Sequence, residues 1–358
     1  MSEPSQNPPF IMMTCQHGAE RFLKQEIVDR YHDLRAAFSR PGFVTFKATS
    51  DWNIERVGAM RSIFGRFQGL SLGRVACDDV HQAAAKVWEM AANLRVNRIH
   101  VFPRDAALPG VNDFEPHIDS ECQELHRIVY SYCPPQEKPA LAAGADCPLL
   151  PAERKELVLD VVPVSPSEWY IAYHVTNDWR SSQPGGLLVL SRPFDSVSRA
   201  YLKFEEALRW SGLSVKIGSR WLDIGAAPGG ASQALLARGA EVFAVDPAEM
   251  SPILTQNPNF THFRGRLNQI KRRNYRKARW IVTDMNVAPN YTLDVLEDCV
   301  RHENMEIRGL LFTLKLVKWE LIADIPSYIQ RIKSWGFGHV VMGQMQFNRQ
   351  EIMVATHR

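Results

Sequence analysis

The run Trp221-Leu-Asp223-Ile-Gly225-Ala226-Ala227-Pro228-Gly229-Gly230 passes from an apolar strand pattern straight into a glycine-rich turn and then a helical pattern. A strand apolar on both faces, a turn with bare main chain and a following helix together open a parallel βαβ unit. The flanking sequence repeats the theme. Strand-like runs at 220–224, 241–245, 279–283 and 309–314 alternate with helical patterns at 198–210, 230–238, 292–301 and 325–335. This alternation predicts an α/β fold with a doubly wound, mostly parallel, Rossmann-like sheet. Runs at 339–345 and 351–356 predict a terminal antiparallel hairpin added to its edge.

The preceding residues have another character. Residues 1–9 are polar and proline-rich and are expected to be loose. A strand at 10–15, a helix at 20–31 with Phe22, Leu23, Ile27 and Tyr31 on one stripe, a strand at 44–47 and a helix at 54–63 leading to 64–72 predict an α+β subdomain over 1–70. Helical patterns at 80–92 and 118–132 enclose a strand at 98–102, and 133–154 reads as a Pro- and Ala-rich loop. Runs at 157–164 and 169–175 around Ser165-Pro-Ser-Glu168 predict a hairpin that closes a second α/β unit over 71–178. Residues 176–186 read as a linker into a third domain, 179–358. No internal repeat is evident.

A length of 358 residues, 45% of them hydrophobic and 23% charged, is enough for two or three cores. The absence of an apolar run of roughly 20 residues and of an export signal predicts a soluble, cytoplasmic protein with no membrane partner. The six cysteines stand apart without metal-ligand spacing, so reduced thiols and no metal site are expected. His17 and His100 read as ordinary packed or surface histidines.

The net charge of +3 conceals an asymmetry: residues 1–180 hold 19 Lys+Arg against 23 Asp+Glu, and residues 181–358 hold 23 against 16. Within the basic part, 261–280 carries eight basic residues and no acidic one, with Asn268, Asn274 and Tyr275 interleaved. Such a stretch suits a polyanion, and equally a solvated face.

The turn Gly225-Ala-Ala-Pro-Gly-Gly230 lacks the second glycine of the dinucleotide fingerprint, which disfavours a pyrophosphate-bearing nicotinamide cofactor. Asp246 ends the next strand, 23 positions after Asp223, where a carboxylate can accept both ribose hydroxyls of an adenosine. Adenosine without phosphate fits S-adenosylmethionine. The expected cofactor-binding residues are Asp223, Gly225, Ala226, Ala227, Pro228, Gly229, Gly230, Asp246 and Asp284.

Four ordered segments carry a family resemblance: Ser198 to Glu206, Asp223 to Gln233, Ile281-Val-Thr-Asp284-Met285, and Leu311 to Lys315 followed by Arg349-Gln-Glu351-Ile. Over most of 190–358 the chain resembles the ribose 2′-O-methyltransferases of the FtsJ type, whose class I methyltransferase fold has this architecture. The resemblance implies a Lys-Asp-Lys-Glu tetrad at Lys203, Asp284, Lys315 and Glu351. A ribose hydroxyl is a poor nucleophile until deprotonated, whereas a sulfonium methyl already has a good leaving group, so alignment and a base are what such an enzyme must supply. Lys315 is the expected base, its pKa lowered by Lys203, with Asp284 and Glu351 orienting the amines. Without the resemblance, helical spacing would place Lys203 on a solvated face, and Glu351 would read as a polar strand residue.

The sequence departs from the family where an acidic residue usually meets adenine. Phe263-Arg264-Gly265-Arg266 stands there, leaving adenine to be read otherwise, for instance by backbone. Met285-Asn-Val-Ala-Pro289 is not the Pro-Pro-aromatic motif of amino-group methyltransferases, and Cys299, in a predicted surface helix, is unsuited to covalent attack on a pyrimidine.

The order of parts is similar to that of bacterial large-subunit (23S) rRNA cytidine 2′-O-methyltransferases. Met13 to Leu23 opens a small, ferredoxin-like subdomain, a THUMP-like RNA-binding domain follows, and Ser191-Arg-Pro193-Phe-Asp195 leads into the catalytic helix. The similarity implies 23S rRNA or a large-subunit precursor as partner, and no DNA. Arg264, Arg266, Lys271, Arg272, Arg273, Arg276 and Lys277 are expected to hold phosphates, joined by Arg95, Arg98 and Arg104 in the THUMP-like part. A tRNA acceptor and a non-catalytic RNA-binding assembly platform stand as alternatives.

Overall fold

The computed structural model describes residues 9–136, 138–142, 144–190 and 193–358, and divides into two compact units, Met1–Val189 and Leu190–Arg358. Residues 1–8, expected to be loose, and Ser191 and Arg192, expected to lead into the catalytic helix, lie outside the described residues.

The first unit contains β1 (Phe10–Cys15), α1 (Glu20–Arg30), β2 (Leu34–Arg40), β3 (Phe43–Ala48), α2 (Ile54–Ala59), β4 (Gly65–Ala76), α3 (Val80–Met90), β5 (Arg98–Val101), α4 (Ser120–Ser131), β6 (Leu157–Ser165), β7 (Glu168–Val175) and α5 (Trp179–Ser182). These strands form one sheet in the order β2-β3-β1-β4-β7-β6-β5, antiparallel except between β5 and β6. Strand β4 pairs with β1 on one side and β7 on the other, so one sheet runs through the division expected at residue 70.

Edge strand β2 shows no apolar alternation, because only Leu34 in it is buried. Helix α2 stops at Ala59 rather than 63. The Glu26 carboxylate accepts the N–H groups of Ile63 and Phe64 and the Ser62 hydroxyl, giving those donors partners outside a helix. The linker expected at 176–186 is instead folded. Asp178 caps α5 by accepting the Ser181 N–H, and Pro184, Gly185 and Gly186 are buried. Gly185 has φ +60°, and a Cβ there would run into the Phe102 ring.

The second unit contains α6 (Ala200–Ser211), β8 (Arg220–Ile224), α7 (Gly230–Leu236), β9 (Glu241–Asp246), α8 (Pro252–Thr255), β10 (Phe260–Arg264), β11 (Trp280–Thr283), α9 (Pro289–Val300), β12 (Gly309–Lys315), α10 (Ile325–Lys333), β13 (His339–Gly343) and β14 (Glu351–His357). Its sheet runs β10-β9-β8-β11-β12-β14-β13. Strands β8 to β12 are mutually parallel, and β14 is antiparallel to both of its neighbours. This is the expected doubly wound fold, with one difference: the last strand is inserted between β12 and β13 rather than added outside. Two apolar clusters fill the unit, one holding Tyr275, Leu296 and Tyr328, the other Phe204, Trp221 and Leu235. The strand order reverses between β8 and β11, and in sheets of this kind ligands bind at the carboxyl ends beside such a reversal.

Candidate active site

At that edge, Asp284 directly follows β11 and Lys315 ends β12. Antiparallel register sets Glu351, the first residue of β14, opposite Lys315. Lys203 comes from α6. The four side chains close a ring. Lys203 Nζ lies 2.7 Å from Asp284 Oδ2 and 2.6 Å from Glu351 Oε1. Lys315 Nζ lies 2.7 Å from Asp284 Oδ1 and also touches Glu351 Oε2. Each amine meets both carboxylates, so the ring carries no net charge. Lys203 is 8% exposed, correcting the solvated position that helical spacing alone suggests, and Glu351 is 4% exposed. Helix α6 is buried on two sides, with Phe204 and Leu208 in the core and Lys203 at the ring.

Buried charges need every lone pair and proton satisfied. Thr313 Oγ1 donates to Asp284 Oδ1 at 2.6 Å, and Asn348 Nδ2 donates to Glu351 Oε1 at 3.1 Å. The buried Glu206 carboxylate accepts the N–H groups of Gln346 and Phe347 and so ties α6 to the loop before β14. Thr313 and Asn348 escape sequence reasoning because a strand threonine and a loop asparagine are locally ordinary. Glu206 at least lies inside the Ser198–Glu206 segment.

Burial would raise the Asp284 carboxyl, but the Lys203 and Lys315 ammoniums outweigh it and hold it below its usual value. For Lys315, burial favours the neutral amine, yet Glu351 and Asp284 outweigh that and raise its pKa. This corrects the expectation of a pKa lowered by Lys203: the two amines share carboxylates between them, and attraction to those carboxylates dominates.

A cleft of about 560 Å³ opens beside the ring, bounded by Arg199, Ala227, Pro228, Val317 and Arg349. The two arginines were not singled out from the sequence. Gly225 (φ +71°) and Gly229 (φ +115°) give the adjoining turn its shape, and a Cβ on Gly225 would approach Met285 Cγ to 2.6 Å. Ala226 is buried, and a Cβ on Gly230 would sit 2.7 Å from the Tyr201 nitrogen. Asp246 is pinned by the N–H groups of Ala227 (3.1 Å, to Oδ2) and Ala248 (2.7 Å, to Oδ1), leaving further lone pairs for a ligand. Asp223 lies beneath the turn, accepting from Ser232 Oγ at 2.6 Å, and burial pushes its carboxyl up to about 7.

The basic stretch is a loop with short 3-10 turns at Leu267–Gln269 and Arg272–Asn274. Tyr275 is 2% exposed, so it is a core residue and cannot stack on a base. Arg264 pairs with Glu249 and Arg272 with Asp298. Arg266, Lys271, Arg273, Arg276 and Lys277 are exposed and have no carboxylate partner among the described residues. Because β10 and β11 are parallel, the chain must return between them from the carboxyl to the amino ends. Arg264 and Arg266 therefore stay at the edge of the ring, while Arg276 and Lys277 approach the opposite edge.

In the first unit Arg95 is exposed, but Arg98 is buried against Glu156, and Arg104 donates to the Pro41 and Val164 carbonyls. Arg98 is thus withdrawn from any phosphate. Cys299 faces the core rather than the surface, and burial pushes its thiol up to about 12.

Residues 196–324 match the family model of the FtsJ-like methyltransferases. The chain is similar to proteins named ribosomal RNA large subunit methyltransferase M. The one from Halorhodospira halophila is 28% identical over 182 residues, covering 50% of this chain and 52% of that protein. The one from Laribacter hongkongensis is 30% identical over 191 residues, covering 50% and 53%. In both, the match spans about half the relative's length. With the protein of that name from Tolumonas auensis the identity is 25% over 363 residues, covering 97% of this chain and 95% of the relative.

Proposed function

We propose that the FtsJ-like methyltransferase domain of residues 196–324, completed by Glu351 from β14, transfers a methyl group from S-adenosylmethionine to a ribose 2′-hydroxyl of structured RNA. The acceptor is 23S rRNA or a large-subunit precursor, and the location is cytoplasmic. The observation that carries this reading is the closed ring of two amines and two carboxylates at the mouth of a cleft. The relatives' name supports the choice of RNA. Within the first unit, residues 1–70 serve as a ferredoxin-like subdomain and 71–178 as the THUMP-like RNA-binding part.

The cleft of about 560 Å³ is of small-molecule size, and Ala227, Pro228 and Asp284 of the expected cofactor residues line it. S-adenosylmethionine supplies an electrophilic methyl on a sulfonium. Gly225, Gly229 and Gly230 would leave main chain bare beside it, Asp246 would accept from the ribose hydroxyls, and Asp223, once ionised, would supply negative charge. Asp284, Lys203 and Glu351 hold the Lys315 amine in place. Once neutral, Lys315 takes the 2′-hydroxyl proton onto Nζ as the oxygen–carbon bond forms and the sulfur–carbon bond breaks. Arg264 and Arg266, and beyond them Lys271, Arg272, Arg273, Arg276 and Lys277, attract RNA phosphates.

The test is transfer of tritiated methyl from S-adenosylmethionine to 23S rRNA from a strain lacking this modification, with the label mapped to the ribose. Lys315→Ala is expected to lose roughly 10²- to 10⁴-fold in rate while keeping cofactor affinity. Label in tRNA alone would move the acceptor to tRNA. RNA binding without transfer to any RNA would make the chain an assembly platform.

A further inference from the structure

In the core of the first unit, three polar residues on adjacent strands face one another. His100 on β5 is directly opposite Asp160 on β6, and Asp160 is opposite Ala172 on β7. His174, two residues along β7, therefore shares their face. Their relative exposures are 0%, 0% and 4%, and their ligand-type atoms all lie within 4.8 Å of one another.

The hydrogen bonding within this group is incomplete. His174 Nε2 lies 2.8 Å from the Ser181 carbonyl oxygen, which only accepts, so Nε2 carries a proton; Nδ1 is turned inward, 2.6 Å from Asp160 Oδ2, a hydrogen-bonded contact that a bound cation would replace. Asp160 Oδ1 and both ring nitrogens of His100 are buried with no hydrogen-bond partner. Leaving such atoms unsatisfied in a core is costly, and a ligand that engages them removes that cost.

We propose that His100 Nδ1, Asp160 and His174 Nδ1 form a binding site for a divalent transition-metal ion of the zinc class. Imidazole nitrogen and carboxylate oxygen are ligands such an ion takes, and ligating histidines usually donate their other ring N–H to a carbonyl or carboxylate, as His174 does to Ser181. Bonds of about 2.0–2.2 Å set tetrahedral ligands roughly 3.3 Å apart. The His174–Asp160 contact of 2.6 Å and the His100–Asp160 contact of 3.9 Å use different oxygens of Asp160, and the ligand atoms lie within 4.8 Å of one another, so the side chains must rotate to gather on one ion. The site clamps β5, β6 and β7 and, through Ser181, fixes α5. It is independent of methyl transfer.

The experiment uses the full chain without an affinity tag, expressed with added zinc and then dialysed. Elemental analysis is expected to find about one zinc per chain, and a chelator is expected to lower the thermal midpoint. His100→Gln and Asp160→Asn are expected to abolish retention. X-ray absorption on the wild type is expected to show nitrogen and oxygen ligands and no sulfur, which keeps the proposal testable if a variant fails to fold. A wild-type chain that neither retains nor takes up zinc would overturn the proposal. So would sulfur ligation, or undiminished retention in folded His100→Gln.

Discussion

Two carboxylates hold Lys315 protonated at rest, so the fraction able to accept a hydroxyl proton grows with pH. The rate of methyl transfer is accordingly expected to rise through the alkaline range. Glu351→Gln removes one of those carboxylates, and its pH–rate profile is expected to lie at lower pH than the wild type's, read from single-turnover transfer across pH. The sign for stability is opposite. The Lys315 contribution is complete below the unfolded lysine pKa and lost as pH rises through the raised folded value, whereas that of Asp284 is present above its unfolded pKa and lost as pH falls through the lowered one. Thr313→Val leaves Asp284 short of one donor and is expected to slow transfer roughly tenfold, on the scale of one charge-assisted hydrogen bond, with unchanged cofactor affinity. The tetrad was legible because its members recur in four ordered segments. Their protonation was not, since that depends on which oxygen each amine touches.

At the level of elements, Glu206 holds the loop before β14 by two backbone N–H groups that Glu206→Ala would leave buried and unpaired. A loss of about 2 kcal/mol or more in urea unfolding is expected, with a larger fall in transfer rate as Glu351 shifts. The strands of the second unit could be read because β8, β9, β11 and β12 are apolar on both faces. Edge strands β2 and β10 bury few residues and leave no such pattern. The insertion of β14 between β12 and β13 is equally hidden, because strand order is decided by packing and pairing that local periodicity does not encode. Helix α5 looked like a linker because its polar residues serve as caps and carbonyl partners within the first unit.

For the molecule in solution, Asp223 ties stability to protons. Its carboxyl is raised from 3.8 to about 7 in the fold, so its stabilising influence is complete below pH 4 and lost as pH rises through 7, an effect of about 4 kcal/mol. Asp223→Asn is therefore expected to lose less thermal stability than the wild type between pH 5 and pH 8. A cationic ligand seated beside Asp223 favours the ionised form, so calorimetry in two buffers near pH 7 is expected to record proton release on cofactor binding. Replacing Arg266, Lys271 and Arg273 by alanine is expected to flatten the dependence of RNA affinity on log salt by about 0.7–0.9 for each phosphate that is no longer neutralised. The strand order also sets a sequence of assembly. Synthesis delivers β13 before the strand that separates it from β12, so β13 gains its sheet partner only when β14 arrives. Glu351 arrives with that strand, so the ring of two amines and two carboxylates closes in the same event that seals the sheet.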